Sequence, residues 1–308
     1  MKSILILGAS GFLGRQCTIL FKDLKYVVYT SDKKGHVDFL GDLSDEVFVK
    51  TLPFTDVVIN CAAVQYVSDD LPFWGREAYF ERNNVETARN LVNHYIEKDI
   101  HFIHIGTSMM YCQNGSPYYS IKSPMTASGV YSESKLSAQL LINQLSKVAT
   151  VMPCIIGGVG REGLFRGFVN SLSKFNVAIF PGAGGNKIGM IHVEDVAALI
   201  LRIIETDSLG FYNAAAEDAL TIREWIDEIS DELKLSRTLK ISLPLLPIQL
   251  ISQIINYRIL AREQLLMLNM AHELEITESK SIGWSPLFSS KKIVRDIAKY
   301  ITSNKKMP

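Results

Sequence analysis

Short apolar runs alternate with amphipathic stretches through the first half of the chain. The run from Ile4 to Leu7 contains no polar position, which is typical of a central parallel strand buried on both faces. Similar runs predict further strands at residues 26–31, 37–40, 56–60, 100–106 and 149–154. Helical stretches separate these runs, so the pattern predicts an α/β fold built on a parallel sheet.

The stretches between the strands predict helices at residues 15–24, 44–52, 84–97 and 131–147. In the second of these helices, Ser44 is the expected N-cap, and Val47 and Phe48 are expected to face the core. The third helix has one apolar face, formed by Val85, Ala88, Leu91, Val92 and Tyr95.

Three glycines follow the first strand at a spacing of three residues, namely Gly8, Gly11 and Gly14. A side chain at the first two would block a tight turn or keep the backbone away from a diphosphate, and the third lets a helix pack closely on the sheet. The N–H groups that begin this helix suit a pyrophosphate. The predicted cofactor contacts are therefore Gly8, Ser10, Gly11, Phe12, Leu13 and Gly14, although three glycines in a turn can also serve packing alone.

An acidic residue ends the second predicted strand. Asp32 lies 18 residues after Gly14, close to the distance at which a carboxylate meets the ribose hydroxyls of a dinucleotide. The alternative is a strand-end Asp that only makes a turn. Lys33 and Lys34 follow it and could accept a 2′-phosphate, so NADP stays open while NAD is favoured.

Two later segments are also assigned to the cofactor. Asp42, followed by Leu43, could accept a hydrogen bond from an adenine amino group or could be an ordinary loop acid, and the sequence favours neither. Cys61, Ala62 and Ala63 follow the strand at residues 56–60, and small side chains there allow the backbone to approach a ligand.

A tyrosine and a lysine provide the candidate chemistry. Tyr131 and Lys135 are four residues apart and share one face of the predicted helix. A free phenol has a pKa near ~10, and a neighbouring ammonium is expected to lower this pKa so that the phenol can exchange a proton with a substrate hydroxyl. Thr107, at the end of the strand at 100–106, is expected to hold the same substrate oxygen. The alternative is a surface tyrosine and lysine on an amphipathic helix.

Composition excludes several classes of function. Lys plus Arg and Asp plus Glu each number 32, so no net charge steers the chain to nucleic acid or to an anionic membrane surface. The four cysteines lie 42 to 51 residues apart and the six histidines have no ligand spacing, which argues for reduced thiols in a cytoplasmic setting and against a metal site. Met1 leads directly into a core strand and no apolar run reaches ~20 residues, so neither a signal peptide nor a membrane span is expected.

The second half of the chain has weaker alternation. Residues 1–156 are assigned to the dinucleotide-binding domain and residues 157–308 mainly to a substrate lobe, with strands near 190–193 and 211–214 that could return to the main sheet. Helices are predicted at 164–174, 222–233 and across 246–270.

Several motifs resemble those of the extended short-chain dehydrogenase/reductase family, which is the NAD-dependent epimerase/dehydratase superfamily. They are GASGFLG at the first turn, Asn60-Cys-Ala-Ala63, the stretch at 84–91, Gly106-Thr-Ser-Met-Met-Tyr111, Tyr131-Ser-Glu-Ser-Lys135, Val151-Met-Pro153, Ile191-His-Val-Glu-Asp195 and Gly283-Trp-Ser-Pro286. The resemblance implies a doubly wound, Rossmann-type parallel sheet of about seven strands and a smaller C-terminal substrate lobe. It assigns Thr107, Tyr131, Lys135 and a supporting Asn84 to the catalytic site, and it implies that Tyr131, Lys135 and Pro153 contact the cofactor.

The chain departs from members that bind nucleotide sugars. Ile188 and Gly189 stand where those members often carry Arg-Asp, and only Lys187 lies nearby. The apolar run at 243–255 is similar to the lobe of 3β-hydroxysteroid-dehydrogenase-like members, but a helix packed under the site has the same pattern and is the favoured interpretation. The isolated His192 is expected to be structural.

The sequence therefore predicts an NAD(P)-dependent oxidoreductase that acts on a small-molecule secondary alcohol or ketone. A nucleotide-sugar epimerase, dehydratase or 4-keto reductase is the alternative, and a non-catalytic NAD(P)-bound sensor or scaffold is a third. The family resemblance also implies a homodimer formed by the helices that begin near Asn84 and Tyr131. Its candidate contacts are Val92, Ile96, Leu140 and Leu141.

Overall fold

The computed structural model describes residues 2–66, 68, 70–112, 116–254 and 261–304. Its strands are β1 (Ser3–Leu7), β2 (Val27–Asp32), β3 (Phe39–Leu40), β4 (Val57–Asn60), β5 (His101–Ile105), β6 (Tyr118–Tyr119), β7 (Val148–Pro153), β8 (Ile155–Gly157), β9 (Val177–Pro181), β10 (Lys187–Ile188), β11 (Met190–His192), β12 (Gly210–Ala214), β13 (Leu220–Thr221), β14 (Leu239–Leu243) and β15 (Glu273–Leu274). Its helices are α1 (Phe12–Asp23), α2 (Glu46–Val49), α3 (Arg76–Phe80), α4 (Thr87–Tyr95), α5 (Val130–Ile142), α6 (Phe165–Phe175), α7 (Val193–Thr206), α8 (Ile222–Glu232), α9 (Leu245–Ile254), α10 (Arg262–Asn269), α11 (Thr277–Ser281) and α12 (Ser290–Asn304). A π-helical turn spans Glu81–Glu86 and a 3₁₀ turn spans Ser108–Met110.

Seven parallel strands form the central sheet, in the order β12-β7-β5-β4-β1-β2-β3. From β1 the chain first builds outwards to β3 and then returns to add β4 on the other side. This reversal opens a crevice at the carboxyl ends of β1 and β4, which is where open sheets bind ligands. The predicted α/β, doubly wound parallel sheet is confirmed.

The alternation of side chains along β1 explains the layers on both sides of the sheet. Ile4 and Ile6 belong to the core that includes residues of α1 and α7, whereas Leu5 and Leu7 belong to the core that includes residues of α4 and α5. All four side chains are fully buried. A strand covered on both faces needs apolar residues at every position, which is why this run does not alternate.

Helix starts are the least accurate part of the sequence prediction. Asp45, and not Ser44, caps α2, because the Asp45 carboxylate accepts a hydrogen bond from the backbone N–H of Val47. The Val47 side chain is 73% exposed, so its predicted inward orientation is wrong. By contrast, the predicted apolar face of the helix at 84–97 is buried throughout.

The sheet extends beyond the first 156 residues. Of the two strands that could return, β12 pairs with β7 at the edge of the central sheet, while β11 pairs with β8 in a separate two-stranded sheet. The strands β9 and β14 pair beside α6, and a second core links α6, α8 and α12. The C-terminal lobe therefore has its own core but shares the main sheet.

The apolar stretch at 243–255 is not packed under the site. In α9 the side chains of Leu246, Leu250, Ile251 and Ile254 are exposed, so the favoured interpretation as a packed helix is wrong for the residues described. The helix predicted across 246–270 corresponds to two helices, α9 and α10. Residues 255–260, between them, lie outside the described part of the chain. Within the described segments, no helix has both the length and the apolar character required to cross a bilayer.

The predicted dimer helices lie side by side on one face of the sheet. Val92 is buried in the core of its own subunit and cannot contact a partner, whereas Ile96 and Leu140 are exposed. The twofold dimer stays a prediction.

Replacement of Gly14 tests the close packing of α1 on the glycine turn. A Cβ at Gly14 would overlap the Gly8 carbonyl oxygen and would lie 2.8 Å from the Ala9 Cα, and neither backbone atom can move freely. We expect Gly14→Ala to lower the free energy of unfolding by about 1–3 kcal/mol in urea titrations. Gly167→Ala is the matched control, because Gly167 lies in α6 with open space around it and should gain ~0.5–1 kcal/mol. Equal stability of Gly14→Ala and the unchanged protein would contradict the packing described.

Candidate functional site

The glycine turn at residues 8–14 packs closely against the end of β4. Gly8 has φ of +74°, and a Cβ added to it would lie 2.7 Å from the backbone nitrogen of Ala62. A Cβ at Gly11 would lie 3.1 Å from the Gly8 carbonyl oxygen. α1 begins after Gly11 with no side-chain cap, so the N–H groups of its first turn remain available to an anion. The turn therefore fits the diphosphate cradle expected from the sequence.

Asp32 lies at the rim of this turn. Its Oδ2 accepts a hydrogen bond from the Ser10 N–H at 2.9 Å, and its Oδ1 accepts one from the Lys34 N–H at 3.2 Å. The neighbouring Lys33 ammonium pairs with the Asp70 carboxylate at 2.9 Å. Lys33, the first of the two lysines that could bind a 2′-phosphate, therefore already forms an ion pair with Asp70.

The other cofactor candidates differ in how their side chains are used. Asp42 accepts a hydrogen bond from the Ser44 N–H at 2.9 Å and lies 3.4 Å from the Arg82 guanidinium, which gives it a local role in the loop. Leu43 is buried in the core between the sheet and α4. At the end of β4, the Ala62 N–H donates to the Asn60 Oδ1 at 3.1 Å, and this bond fixes the path of Cys61, Ala62 and Ala63. Pro153 is buried at the end of β7.

Tyr131 lies in the first turn of α5, and its side chain is buried at the carboxyl edge of the sheet. Its ring packs against the rings of Tyr66 and Phe80, at centroid distances of 5.6 and 5.7 Å. Burial raises the pKa of Tyr131 to about 12, while a hydrogen bond with the Thr107 side chain acts in the opposite direction. Thr107 follows β5 and is itself buried, so the two hydroxyl groups meet where that strand ends.

Lys135 lies one turn further along α5 and is also buried. Its ammonium donates a hydrogen bond to the Ile105 carbonyl oxygen at 2.7 Å. Burial lowers the pKa of Lys135 to about 8. The expected lowering of the Tyr131 pKa by this ammonium is not observed: the ammonium is bonded to the Ile105 carbonyl oxygen, and the largest effect on the Tyr131 pKa is burial, which raises it.

Asn84 connects the loop after β4 to the helix that carries Tyr131. Its Oδ1 accepts a hydrogen bond from the Val64 N–H at 3.0 Å, and its Nδ2 donates to the Ser134 Oγ at 2.9 Å. It lies within the π-helical turn, where the extra residue per turn changes the direction of the side chains. Asn84 thus supports the site and does not point at the crevice as a reacting group.

Arg161 is a residue of the crevice that the sequence analysis did not single out. Its guanidinium donates to the Gln65 Oε1 at 3.0 Å and lies 5.8 Å from the centroid of the Phe12 ring. Within the described ranges it has no carboxylate within 4.0 Å, and its charge lowers the pKa of Tyr131. The available signal was the glycine-rich stretch at 157–163, in which Arg161 is the single basic residue.

A cavity of about 410 Å³ opens beside the first turn of α5. Its walls include Tyr66, Trp74, Arg76, Arg262 and Glu263. Another cavity, of about 440 Å³, lies away from Tyr131 and is lined by residues such as Lys2 and Tyr26. Thr107, Tyr131 and Lys135 do not line the first cavity, but Tyr66, whose ring packs against the Tyr131 ring, does, so we take this cavity as the candidate substrate pocket.

His192 has the structural role expected of it. Its Nδ1 accepts a hydrogen bond from the Glu194 N–H at the start of α7, and its ring stacks on Phe288 at 3.9 Å between centroids. Across the described residues, no cluster of His, Cys, Asp and Glu could hold a metal ion.

Comparison with known proteins identifies the family. A family model described as the NAD dependent epimerase/dehydratase family matches residues 4–215. The chain belongs to this family. The resemblance inferred from the motifs is therefore confirmed, and NAD(P) is the cofactor that the family uses.

One curated protein resembles this epimerase/dehydratase chain in sequence, and solved structures share its fold over almost the whole length. The protein y4nG of Sinorhizobium fredii (strain NBRC 101917 / NGR234) is 23% identical over 328 residues, which cover 99% of this chain and 80% of that protein. The UDP-N-acetylglucosamine 4-epimerase from Bacillus cereus is 16% identical with a TM-score of 0.75, over 98% of this chain and 99% of that chain. The dTDP-4-dehydrorhamnose reductase from Bacillus anthracis str. Ames, in complex with NADP, is 15% identical with a TM-score of 0.77, over the same shares.

The burial of Lys135 predicts a pH-dependent stability difference. Its pKa of about 8 lies below the 10.5 of an exposed lysine, so the unfolded chain binds more protons between these pH values and stability rises with pH there. Lys135→Met lacks this charge, and we expect it to be more stable than the unchanged protein by about 3 kcal/mol below pH 8, at ~1.36 kcal/mol per pKa unit. The difference should shrink as the pH approaches 10.5. Urea titrations across this range measure it, with Lys122→Met as an exposed control, and a gap that does not change with pH would count against the buried ammonium.

Proposed function

We propose that the chain is an NAD(P)-dependent oxidoreductase that acts on a secondary alcohol or its ketone, with Tyr131 as the acid–base group. The observation that carries this proposal is the meeting of the Tyr131 phenol and the Thr107 hydroxyl at the carboxyl end of β5. Two converging hydroxyl groups can bind one substrate oxygen, the first to exchange its proton and the second to orient it. When bound, NAD(P) supplies the redox chemistry as a hydride donor or acceptor.

The residues that would hold the cofactor follow the edge of the sheet. Gly8, Ser10, Gly11, Phe12, Leu13 and Gly14 would hold its diphosphate. Asp32 would bind the adenosine ribose, and Asp42 with Leu43 would lie by the adenine. Cys61, Ala62, Ala63 and Pro153 would line its path towards the nicotinamide, and Tyr131 and Lys135 would hold the second ribose. The lack of a side chain at Gly8 supports this assignment indirectly, since a Cβ there would overlap the backbone of Cys61 and Ala62 and would push the glycine turn away from the end of β4.

Burial sets the direction in which proton transfer is easiest. With its pKa raised to about 12, Tyr131 keeps its proton at neutral pH and is ready to donate it to a ketone oxygen. The reverse reaction needs a phenolate, and the Arg161 charge stabilises that form. Lys135, with a pKa of about 8, keeps its charge at neutral pH one helical turn away.

The substrate pocket favours an alcohol or ketone without a nucleotide. The position where nucleotide-sugar relatives often carry arginine is Ile188, whose side chain is buried, and the neighbouring Gly189 has no side chain to offer. The second candidate is a nucleotide-sugar epimerase, dehydratase or 4-keto reductase. Three arginines favour it, because they could bind a diphosphate: Arg161 lies in the crevice, and Arg76 and Arg262 line the pocket. A thermal-shift screen of UDP-, GDP- and dTDP-sugars beside sterol-like ketones, with NAD present, separates the two candidates.

A cofactor-bound sensor or scaffold is the remaining candidate from the sequence. The retained set of Thr107, Tyr131 and Lys135 speaks against it, because a protein without turnover has no need of all three groups. All three side chains are buried at the same edge, which adds to this argument.

Replacement of Asp32 tests the choice of cofactor. If its carboxylate binds the ribose hydroxyls, NAD binds more tightly than NADP, and Asp32→Ala narrows the gap between the two dissociation constants. Calorimetric titration of both cofactors measures the gap, with Asp23→Ala as a control carboxylate at the exposed end of α1. Tighter binding of NADP by the unchanged protein would show that the ribose assignment is wrong.

Replacement of Tyr131 tests the chemistry. Tyr131→Phe removes one oxygen and leaves the ring packing in place, so we expect NAD binding to persist while turnover of the substrate found in the screen falls ~10²–10⁴-fold. Tyr118→Phe is a matched control, because Tyr118 is exposed and lies outside the crevice. Full activity of Tyr131→Phe would exclude this residue as the acid–base group.

A further inference from the structure

The helix that carries Tyr131 is capped by a carboxylate from the C-terminal lobe. Its N-cap residue, Gly129, has no side chain with which to accept a hydrogen bond. Instead, the Glu263 Oε1 accepts a hydrogen bond from the Ser132 N–H at 3.0 Å and lies 3.2 Å from the Ser132 Oγ, whose single hydrogen is shared with the Gly129 carbonyl oxygen at 3.0 Å. Glu263 lies in α10, 131 residues further along the chain, so a distant segment provides what a local Ser, Thr or Asp usually provides.

Gly129 leaves room for the Glu263 carboxylate because it has no side chain. A Cβ at Gly129 would overlap the Glu263 Oε2 and would lie 2.9 Å from the Oε1. The φ of Gly129 is −175°, which any residue can adopt, so backbone strain does not explain the glycine. The space that it leaves is the space that Glu263 fills.

Tyr66 connects this carboxylate to Tyr131. The Tyr66 hydroxyl donates to the Glu263 Oε2 at 2.8 Å, and its oxygen accepts a hydrogen bond from the Tyr131 N–H at 3.3 Å. Burial and the adjacent carboxylate raise the pKa of Tyr66, so its hydroxyl stays protonated and remains a donor. One carboxylate thereby fixes both the first turn of α5 and the aromatic ring that packs against the Tyr131 ring.

Glu263 carries its charge without a cationic partner. It is 1% exposed, and no Lys or Arg side chain within the described residues forms an ion pair with it. The Ser132 N–H, the Tyr66 hydroxyl, the shared Ser132 hydroxyl and the positive end of α5 satisfy its oxygens instead. Such a charge is poorly screened and acts on its neighbours, and it raises the pKa of Tyr131.

We propose that Glu263 is a positioning residue for Tyr131, which holds the first turn of α5 in place and keeps the proton on the Tyr131 phenol. The role rests on the proposed function, in which Tyr131 exchanges that proton with the substrate. A neutral amide could cap the helix as well, so the function of the charge is to oppose Arg161, which favours the phenolate. Arg161 is the other charged group that acts on Tyr131, Tyr66 is the titratable group bonded to Glu263, and Arg76 acts on Tyr66.

A titration of the Tyr131 phenol in the substrate-free protein tests the proposal. Tyrosines labelled with ¹³C at Cζ give separate resonances in NMR spectra, and the Tyr131 signal is the one absent from Tyr131→Phe. In Glu263→Gln the shape is kept and the charge is lost, so we expect the Tyr131 midpoint to fall by about one pH unit. Glu133→Gln removes an exposed carboxylate from the same turn of α5 and should leave the midpoint within a few tenths of a unit.

An unchanged or higher midpoint in Glu263→Gln would overturn the proposal. If Glu263→Gln does not fold, Glu263→Asp keeps the charge and withdraws it by one methylene, and its midpoint should lie below that of the unchanged protein. A midpoint in Glu263→Asp that is equal or higher overturns the proposal as well. Because no substrate is present, the titration can succeed even if Tyr131→Phe keeps full activity, so the two proposals fail separately.

Discussion

The close contact between the glycine turn and the end of β4 is the constraint on which the candidate site depends. A Cβ at Gly8 would overlap the Ala62 nitrogen, and a Cβ at Gly14 would overlap the Gly8 carbonyl oxygen even more closely. These contacts bring the open N–H groups of α1, the carboxylate of Asp32 and the end of β4 to one edge of the sheet. The same edge continues to Thr107 at the end of β5, so the cradle for a dinucleotide leads directly to the candidate chemistry.

Burial changes the protonation of both groups on α5. It raises the pKa of Tyr131 to about 12 and lowers that of Lys135 to about 8, since in each case the charged form loses its water. Nearby charges then adjust the phenol in opposite directions, with Arg161 favouring the phenolate and Glu263 favouring the phenol. Because Arg161 follows β8 and Glu263 lies in α10, segments of the C-terminal lobe set the balance at a residue of α5.

The parts of the fold that the sequence predicts are those with a local signal. The apolar run at β1, the glycine spacing and the pair of Tyr131 and Lys135 are all contained within short windows, and they led to the family. The roles of Glu263 and Arg161 depend on contacts between segments about 130 and 100 residues apart, for which one sequence holds no pattern. The sequence prediction was wrong at two local points. It chose Ser44 as the N-cap of α2, where Asp45 is the cap, and it expected a lowered pKa for Tyr131, which burial raises.

The most direct test of the proposed function is a crystal structure of the protein with NAD bound. We expect the diphosphate on the first turn of α1, with one ribose at Asp32 and the other beside Tyr131 and Lys135. In that arrangement the nicotinamide faces the cavity next to α5. A dinucleotide bound away from the carboxyl edge of the sheet, or with its nicotinamide end remote from Tyr131, would contradict the account.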